Sequence, residues 1–346
     1  MGKIALEVYK ILPGVVAQIS GSLLMPSDNS GNFVEYVKSS GRGASELYGS
    51  ENATGPDGLV SGDLTFIDYS AAARGQKGPP GPVGGGGDTE VVTEKYITGQ
   101  NDNIDDALQY NIEIRFVGDW SDAFKSVFIA SADFLASLIA EDIPDAVDGN
   151  GNVYDDLVIT ADLDAIDGVG GVLGQAGPTG LRSDSGLTAV GQMTFDEADA
   201  QAYYDVGLFD DIVVHEMMHV MGFGTLWDRN NLVSTVVDDN GTKKPTDDTV
   251  TTVYTGDEAN SVFAGSETTQ DLILVETDGG SGTAGGHWDE ETYLDELMTG
   301  YIGHLYPDGT YDDTNYLSDW SVASLADIGY VLTSGASGVA DHLIFI

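Results

Sequence analysis

Apolar residues along this chain change their spacing several times, and each change marks an element. Between Ile112 and Val117 they alternate with polar ones, the two-residue period of a strand with one buried face. Ser121 follows, a side chain suited to capping a helix. Phe124, Val127, Phe128, Phe134, Leu135, Leu138 and Ile139 then recur at helical spacing, so a long amphipathic helix follows the strand. Leu157 to Thr160 reads as a short buried strand. From Asp167 to Phe195 glycines punctuate strand-like islands, among them Val190 to Phe195. Leu208, Ile212, Val213, Val220 and Met221 predict a second long helix over Val206 to Met221. A loop-rich stretch then runs from Leu232 to about Gly286, and a last helix lies near Asp319 to Ile328. Strands and helices mixed in this order predict an α+β domain.

Upstream the pattern breaks. Arg74 to Gly87 reads RGQKGPPGPVGGGG, with glycine at 75, 78, 81 and 84. This is a linker; its few G-x-y triplets either extend a collagen-like trimer built elsewhere or act as a plain flexible spacer. The expected organisation is an N-terminal module over 1–73 that serves as pro-segment or anchoring and assembly piece, the linker over 74–87, the main domain over 88–333 and a tail over 334–346. Residues 1–87 are also where a homo-oligomer or larger assembly would form.

Charge narrows the setting. With 57 Asp and Glu against 13 Lys and Arg, the formal net charge is −44. A surface so acidic repels nucleic acid and anionic membranes, and it suits a marine or salt-rich medium where self-repulsion is screened. An extracellular, surface or virion-exposed protein is the expectation. There is no cysteine, which removes disulfides and thiolate ligands, so any metal must be held by His, Asp or Glu. No apolar run is long enough for a membrane span, and Glu7 and Pro13 interrupt the apolar start, so a conventional export signal is not supported. The final Asp-His-Leu-Ile-Phe-Ile over 341–346 has two open readings, a C-terminal secretion signal of the bacterial type I kind or a terminal strand.

Against that background His215-Glu-Met-Met-His219 stands out. Four residues apart on a helix, both imidazoles can reach one zinc ion, with Glu216 beside them as base. Gly222 then allows the helix to end and the chain to turn back toward the metal. A catalytic zinc needs a third protein ligand. The compact H-E-x-x-H-x-x-G-x-x-H motif would place it at position 225, but Thr225 stands there. His287, in Gly-Gly-His-Trp-Asp-Glu over 285–290, is the candidate, followed by Met298 in Glu-Leu-Met over 296–298.

With these segments the sequence resembles the leishmanolysin family and its bacterial relatives, metzincins in which a long insertion separates the glycine from the third histidine. The likeness covers most of 110–330. It includes Ile166 to Pro178, Met193-Thr-Phe-Asp196, Phe223-Gly-Thr-Leu-Trp227 and Ala326-Asp-Ile-Gly-Tyr330. It implies a metzincin-like domain with a mixed sheet, a long active-site helix and a C-terminal subdomain carrying a Met-turn. It also implies Zn²⁺ held by His215, His219 and His287, Glu216 as the catalytic base, and Met298 as an apolar floor. The partner would be a protein or peptide substrate cut as an endopeptidase cuts. Eukaryotic members are disulfide-rich, so a chain without cysteine sits nearer the bacterial type.

Other features carry less. Asp148-Gly-Asn-Gly-Asn152 with Asp155 and Asp156 suggests a structural Ca²⁺ loop, yet Val153 and Ile159 break the EF-hand template, which leaves a solvated turn as the alternative. Tyr301 reads as a packed aromatic rather than an oxyanion donor, and His304 and His342 as surface or terminal residues. The rival function is a non-catalytic surface or virion component, adhesive or fibre-like, that reuses the protease fold.

Overall fold

The computed structural model describes residues 64–66, 91–99, 104, 106–166, 173–239, 241, 249–266, 271–278, 282–302, 304–305, 311–312 and 314–339. The linker at 74–87, nearly all of the expected N-terminal module, glycines 168, 170 and 171, and His342 lie outside the described residues.

A six-stranded mixed sheet forms the scaffold. Its strands are β1 (Leu64–Phe66), β2 (Val92–Ile97), β3 (Ile112–Val117), β4 (Leu157–Asp164), β5 (Gly174–Arg182) and β6 (Thr188–Asp196), in the order β1-β5-β6-β4-β3-β2. β3, β4 and β6 run parallel, while β2, β5 and β1 are antiparallel to their neighbours. Leu64 is buried at one edge, so part of the N-terminal segment completes the sheet. β3 begins and ends where the alternation predicts, because Ile112, Ile114 and Phe116 all point into one core.

Helix α1 (Asp122–Ser137) starts at Ser121, whose hydroxyl accepts from the Phe124 amide at 3.2 Å. Its apolar face meets the sheet through a herringbone of rings. Phe128 lies edge-on to Phe116, Trp120 and Phe195 at 5.0–5.7 Å, and Phe195 meets Phe209 at 5.5 Å. Phe209 opens α3, so this ring cluster fixes the helix that bears the histidines.

Two corrections apply to the second predicted helix. The stretch before it forms a separate α2 (Glu197–Asp205), capped by Asp196, whose carboxylate accepts from the Ala198 amide. The helix expected from Val206 begins instead at Phe209, as α3 (Phe209–Met221). Gly207, with φ of +79°, makes the turn between the two.

The region read as loop contains real structure. A hairpin of β7 (Val233–Asp238) and β8 (Thr249–Tyr254) precedes α4 (Asp257–Ala264). A short α5 (Glu290–Tyr293) and α6 (Asp319–Ile328) complete the helices, α6 falling on the predicted residues. Among the described residues no helix is long and apolar enough to cross a membrane.

Candidate metal centre

Every residue of α3 is buried, as expected of a helix enclosed on all sides. His215 and His219 lie one turn apart on it, their ring centroids 4.6 Å from each other. The helix then stops abruptly. Gly222 has φ of +120°; its amide donates to His219 O and the Phe223 amide to Met218 O, the paired bonds that close a helix on a left-handed residue. That reversal aims the Phe223 carbonyl back at His219, whose Nδ1–H donates to it at 2.9 Å. Thr225, which stands where the compact motif has its third histidine, donates its hydroxyl to the His219 carbonyl at 2.7 Å and so helps to close the same turn.

His287 arrives by a different route. Chain segments from the insertion lie side by side: Tyr254 N donates to Ile273 O, Glu276 N to His287 O, and Trp288 N to Met298 O. This irregular ladder carries the third histidine against the end of α3. Trp288 anchors it, stacking on Trp227 at 4.7 Å and meeting Phe223 and Tyr254 edge-on. The aromatic residues of Phe223-Gly-Thr-Leu-Trp227 and of His287-Trp288 thus form one cluster, although long stretches of sequence separate them.

The three imidazoles converge. Nε2 of His215, His219 and His287 lie 2.9, 3.1 and 3.2 Å from one another, all fully buried. Each Nδ1–H donates to a backbone carbonyl: His215 to Leu297 at 2.7 Å, His219 to Phe223 at 2.9 Å, His287 to Thr283 at 2.9 Å. Burial lowers the pKa of His215 to about 3 and of His287 to about 4, and holds that of His219 well below its ordinary value, with neighbouring imidazoles adding to the effect at His215 and His219. The rings are therefore neutral at pH 7, and with Nδ1 protonated each must offer an Nε2 lone pair to the common centre. Three lone pairs facing one another repel unless a cation lies between them. Tetrahedral coordination at about 2.0–2.1 Å places ligand nitrogens about 3.3 Å apart, close to the separations seen.

Glu216 adds a second mark. Both carboxylate oxygens are buried and accept no hydrogen bond, and burial raises the pKa to about 8. A carboxylate left without partners in a closed interior is costly to the fold, which points to a role beyond packing. Met298 is fully buried in the turn from Glu296 to Thr299, whose Leu297 carbonyl receives the His215 proton.

The acidic constellation upstream divides in two. Asp148 caps its own turn, accepting from the Asn150 and Asn152 amides and from Tyr154 OH. Asp155 and Asp156 instead share a neighbourhood with Asp142, their oxygens within 4.8 Å, and Asp156 accepts from the Asn111 and Ile143 amides at 2.6 Å each. Tyr301 is half-buried, and the His304 backbone pairs with Asp312 in a two-residue ladder. Sequence reasoning missed the carbonyl acceptors at Leu297 and Thr283, since a main-chain oxygen carries no residue signature.

The sequence profile of the leishmanolysin peptidases covers residues 136–331, from the end of α1 past α6, and includes all three histidines and Glu216. No curated protein matches the chain. The profile spans more than half of the sequence, and this chain is a member of the leishmanolysin family of metallopeptidases.

Proposed function

We infer that this protein is a zinc-dependent endopeptidase, with His215, His219 and His287 as metal ligands and Glu216 as catalytic base. The observation that carries this reading is the convergence of three neutral Nε2 lone pairs beside a buried carboxylate that has no partner. Family membership supports the same reading.

When bound, zinc supplies Lewis acidity that polarises a scissile carbonyl and brings water near neutral pKa. The chain's own residues do the rest. The carbonyls of Leu297, Phe223 and Thr283 hold the three rings in orientation, so no reorganisation accompanies the reaction. Glu216, ionised once a cation lies beside it, would take a proton from water as the water oxygen bonds to the scissile carbon, and would return that proton to the amine as the C–N bond breaks. The Glu296–Thr299 turn corresponds to the family's Met-turn, with Met298 as an apolar support. The acidic surface favours action outside the cell, or on a surface or particle, in a salt-rich medium. Residues 1–87 would serve attachment or assembly, joined to the sheet by β1.

Digestion of casein or gelatin by the full chain, with and without a zinc chelator, tests the reading. Activity that disappears with the chelator and returns with zinc is the expected result. No digestion by zinc-loaded protein would favour the non-catalytic surface role, and digestion indifferent to the chelator would exclude the metal mechanism.

A further inference from the structure

Glu296 lies behind the metal centre and touches none of the three histidines, yet two of its contacts, through Met298 and through Ser321, lead toward them. It is fully buried. Oε1 accepts from the Ser318 amide at 3.0 Å, from the Ser318 hydroxyl at 2.6 Å and from the Ser321 hydroxyl. Oε2 accepts from the Met298 amide at 2.5 Å.

The Met298 amide belongs to the same peptide group as the Leu297 carbonyl. That carbonyl receives the Nδ1 proton of His215 at 2.7 Å, the shortest of the three ring-to-carbonyl bonds. One peptide plane therefore joins a carboxylate on its N–H side to an imidazole on its C=O side. Hydrogen bonds in series polarise one another: a negative charge on the amide hydrogen pushes electron density onto the carbonyl oxygen. The carbonyl then becomes a stronger acceptor for Nδ1–H, and Nε2 a better electron donor. This is the effect a carboxylate has when it contacts a metal-binding histidine directly, here relayed through one peptide.

The proton inventory makes Glu296 the acceptor throughout. Burial raises its pKa above the ordinary value, and the four donors oppose that rise without cancelling it. The Ser321 hydroxyl already accepts from Trp288 Nε1 at 2.7 Å, and the Ser318 hydroxyl from the Ser321 amide at 3.1 Å, which leaves the Ser321 proton for Oε1 and the Ser318 proton shared between Oε1 at 2.6 Å and Ser321 Oγ at 2.9 Å. Through Ser321 the same carboxylate also fixes the indole of Trp288, the residue after His287. The contacts of Glu296 thus reach two ligands that come from separate parts of the chain.

We propose that Glu296 is a positioning residue for the metal centre, an anion that acts on His215 through the Leu297–Met298 peptide group and on the His287 segment through Ser321 and Trp288. This rests on the zinc reading above. The readout is zinc affinity of the full chain by chelator competition, set beside the urea midpoint of the metal-free protein. Glu296→Gln keeps the size and removes the charge, and the expected result is zinc binding weaker by about ten- to a hundredfold. Ser318→Ala removes one hydroxyl from the same carboxylate and the cap of α6, but leaves the Met298 contact. It should lower the urea midpoint while changing zinc affinity less than about threefold.

A purely structural role predicts that zinc affinity follows stability across both variants, and that result would overturn the proposal, as would a Gln variant with unchanged affinity. Should Glu296→Gln fail to fold, the zinc-loaded wild-type protein gives the answer by proton NMR. The His215 ring N–H should resonate furthest downfield of the three ligand N–H protons, and a position upfield of His219 or His287 refutes the relay. Wild-type protein that takes up no zinc would instead fail the functional reading itself, and this inference with it.

Discussion

The backbones of Gly224 and Gly286 meet without room for a side chain: a Cβ on Gly224 would lie 2.1 Å from the Gly286 carbonyl oxygen. Gly224 also holds φ at +68°, a conformation that strains other residues by roughly 1–2 kcal/mol. The contact presses the turn after α3 against the residue that precedes His287. His287 therefore reaches the His215–His219 pair because Gly224 carries no side chain.

Gly224→Ala should push the 285–287 segment away and misplace His287, while α3 and its two histidines remain. Zinc affinity is expected to fall about ten- to a hundredfold. Gly285→Ala is the control, because its Cβ would meet nothing within 4 Å although its φ is also positive, at +83°. Equal zinc loss in both variants would show that backbone strain, not the collision, sets the effect.

Glu216 combines the proposed role of base with a cost to the fold, and one substitution separates them. Glu216→Gln should retain zinc and lose proteolysis by about a hundred- to ten-thousandfold. The folded-state pKa is about 8, above the ordinary 4.5, so the favourable contribution of this group is complete below about 4.5 and is lost as pH rises through 8. At pH 9 the wild-type metal-free protein bears that penalty and the Gln variant does not. Urea unfolding at pH 9 should find the variant the more stable of the two; a less stable variant would mean that Glu216 has a partner in solution that the fold does not reveal.

The site was legible in the sequence to a different depth at each level. α1, α6 and β3 were readable because their apolar spacing and caps agree with their packing: Ser121 and Ser318 both accept the amide three residues on. β5 was not. Gly174 to Arg182 contains three glycines and Pro178, a poor strand by propensity, and it is a strand because β6 and β1 pair with it while α3 packs against it. The β7–β8 hairpin was passed over as loop because ten residues separate its strands. In the centre itself, the spacing of His215, Glu216 and His219 is a weak signal of a metal when taken alone, and His287, identified by its Trp288 and Met298 neighbours through resemblance, made it specific. The fold brings it to within 3.2 Å of the pair. What remained hidden were main-chain acceptors and glycine contacts, which depend on where the backbone goes and on no side chain that a reader could single out.

The histidine cluster predicts how the metal-free protein responds to acid. His215 and His287 have folded-state pKa values of about 3 and 4, against an ordinary 6.5, and that of His219 lies well below its ordinary value. Because these values are depressed, the unfolded chain binds protons more readily than the folded one between about pH 6.5 and 4. The contribution of the cluster is complete above 6.5 and is lost as pH falls, at no more than about 1.4 kcal/mol per pH unit for each imidazole. Metal-free wild-type protein should therefore show a urea midpoint that declines from pH 7 to pH 5, and His287→Gln, with one buried imidazole fewer, should decline less steeply. From the folded protein zinc should release only as pH approaches the depressed values of about 3 and 4, since it is there that protons and the metal compete for the same Nε2 lone pairs. A wild-type midpoint that stays flat from pH 7 to pH 5 would mean that the imidazoles are already open to water, and the closed, lone-pair-facing cluster would have to be abandoned.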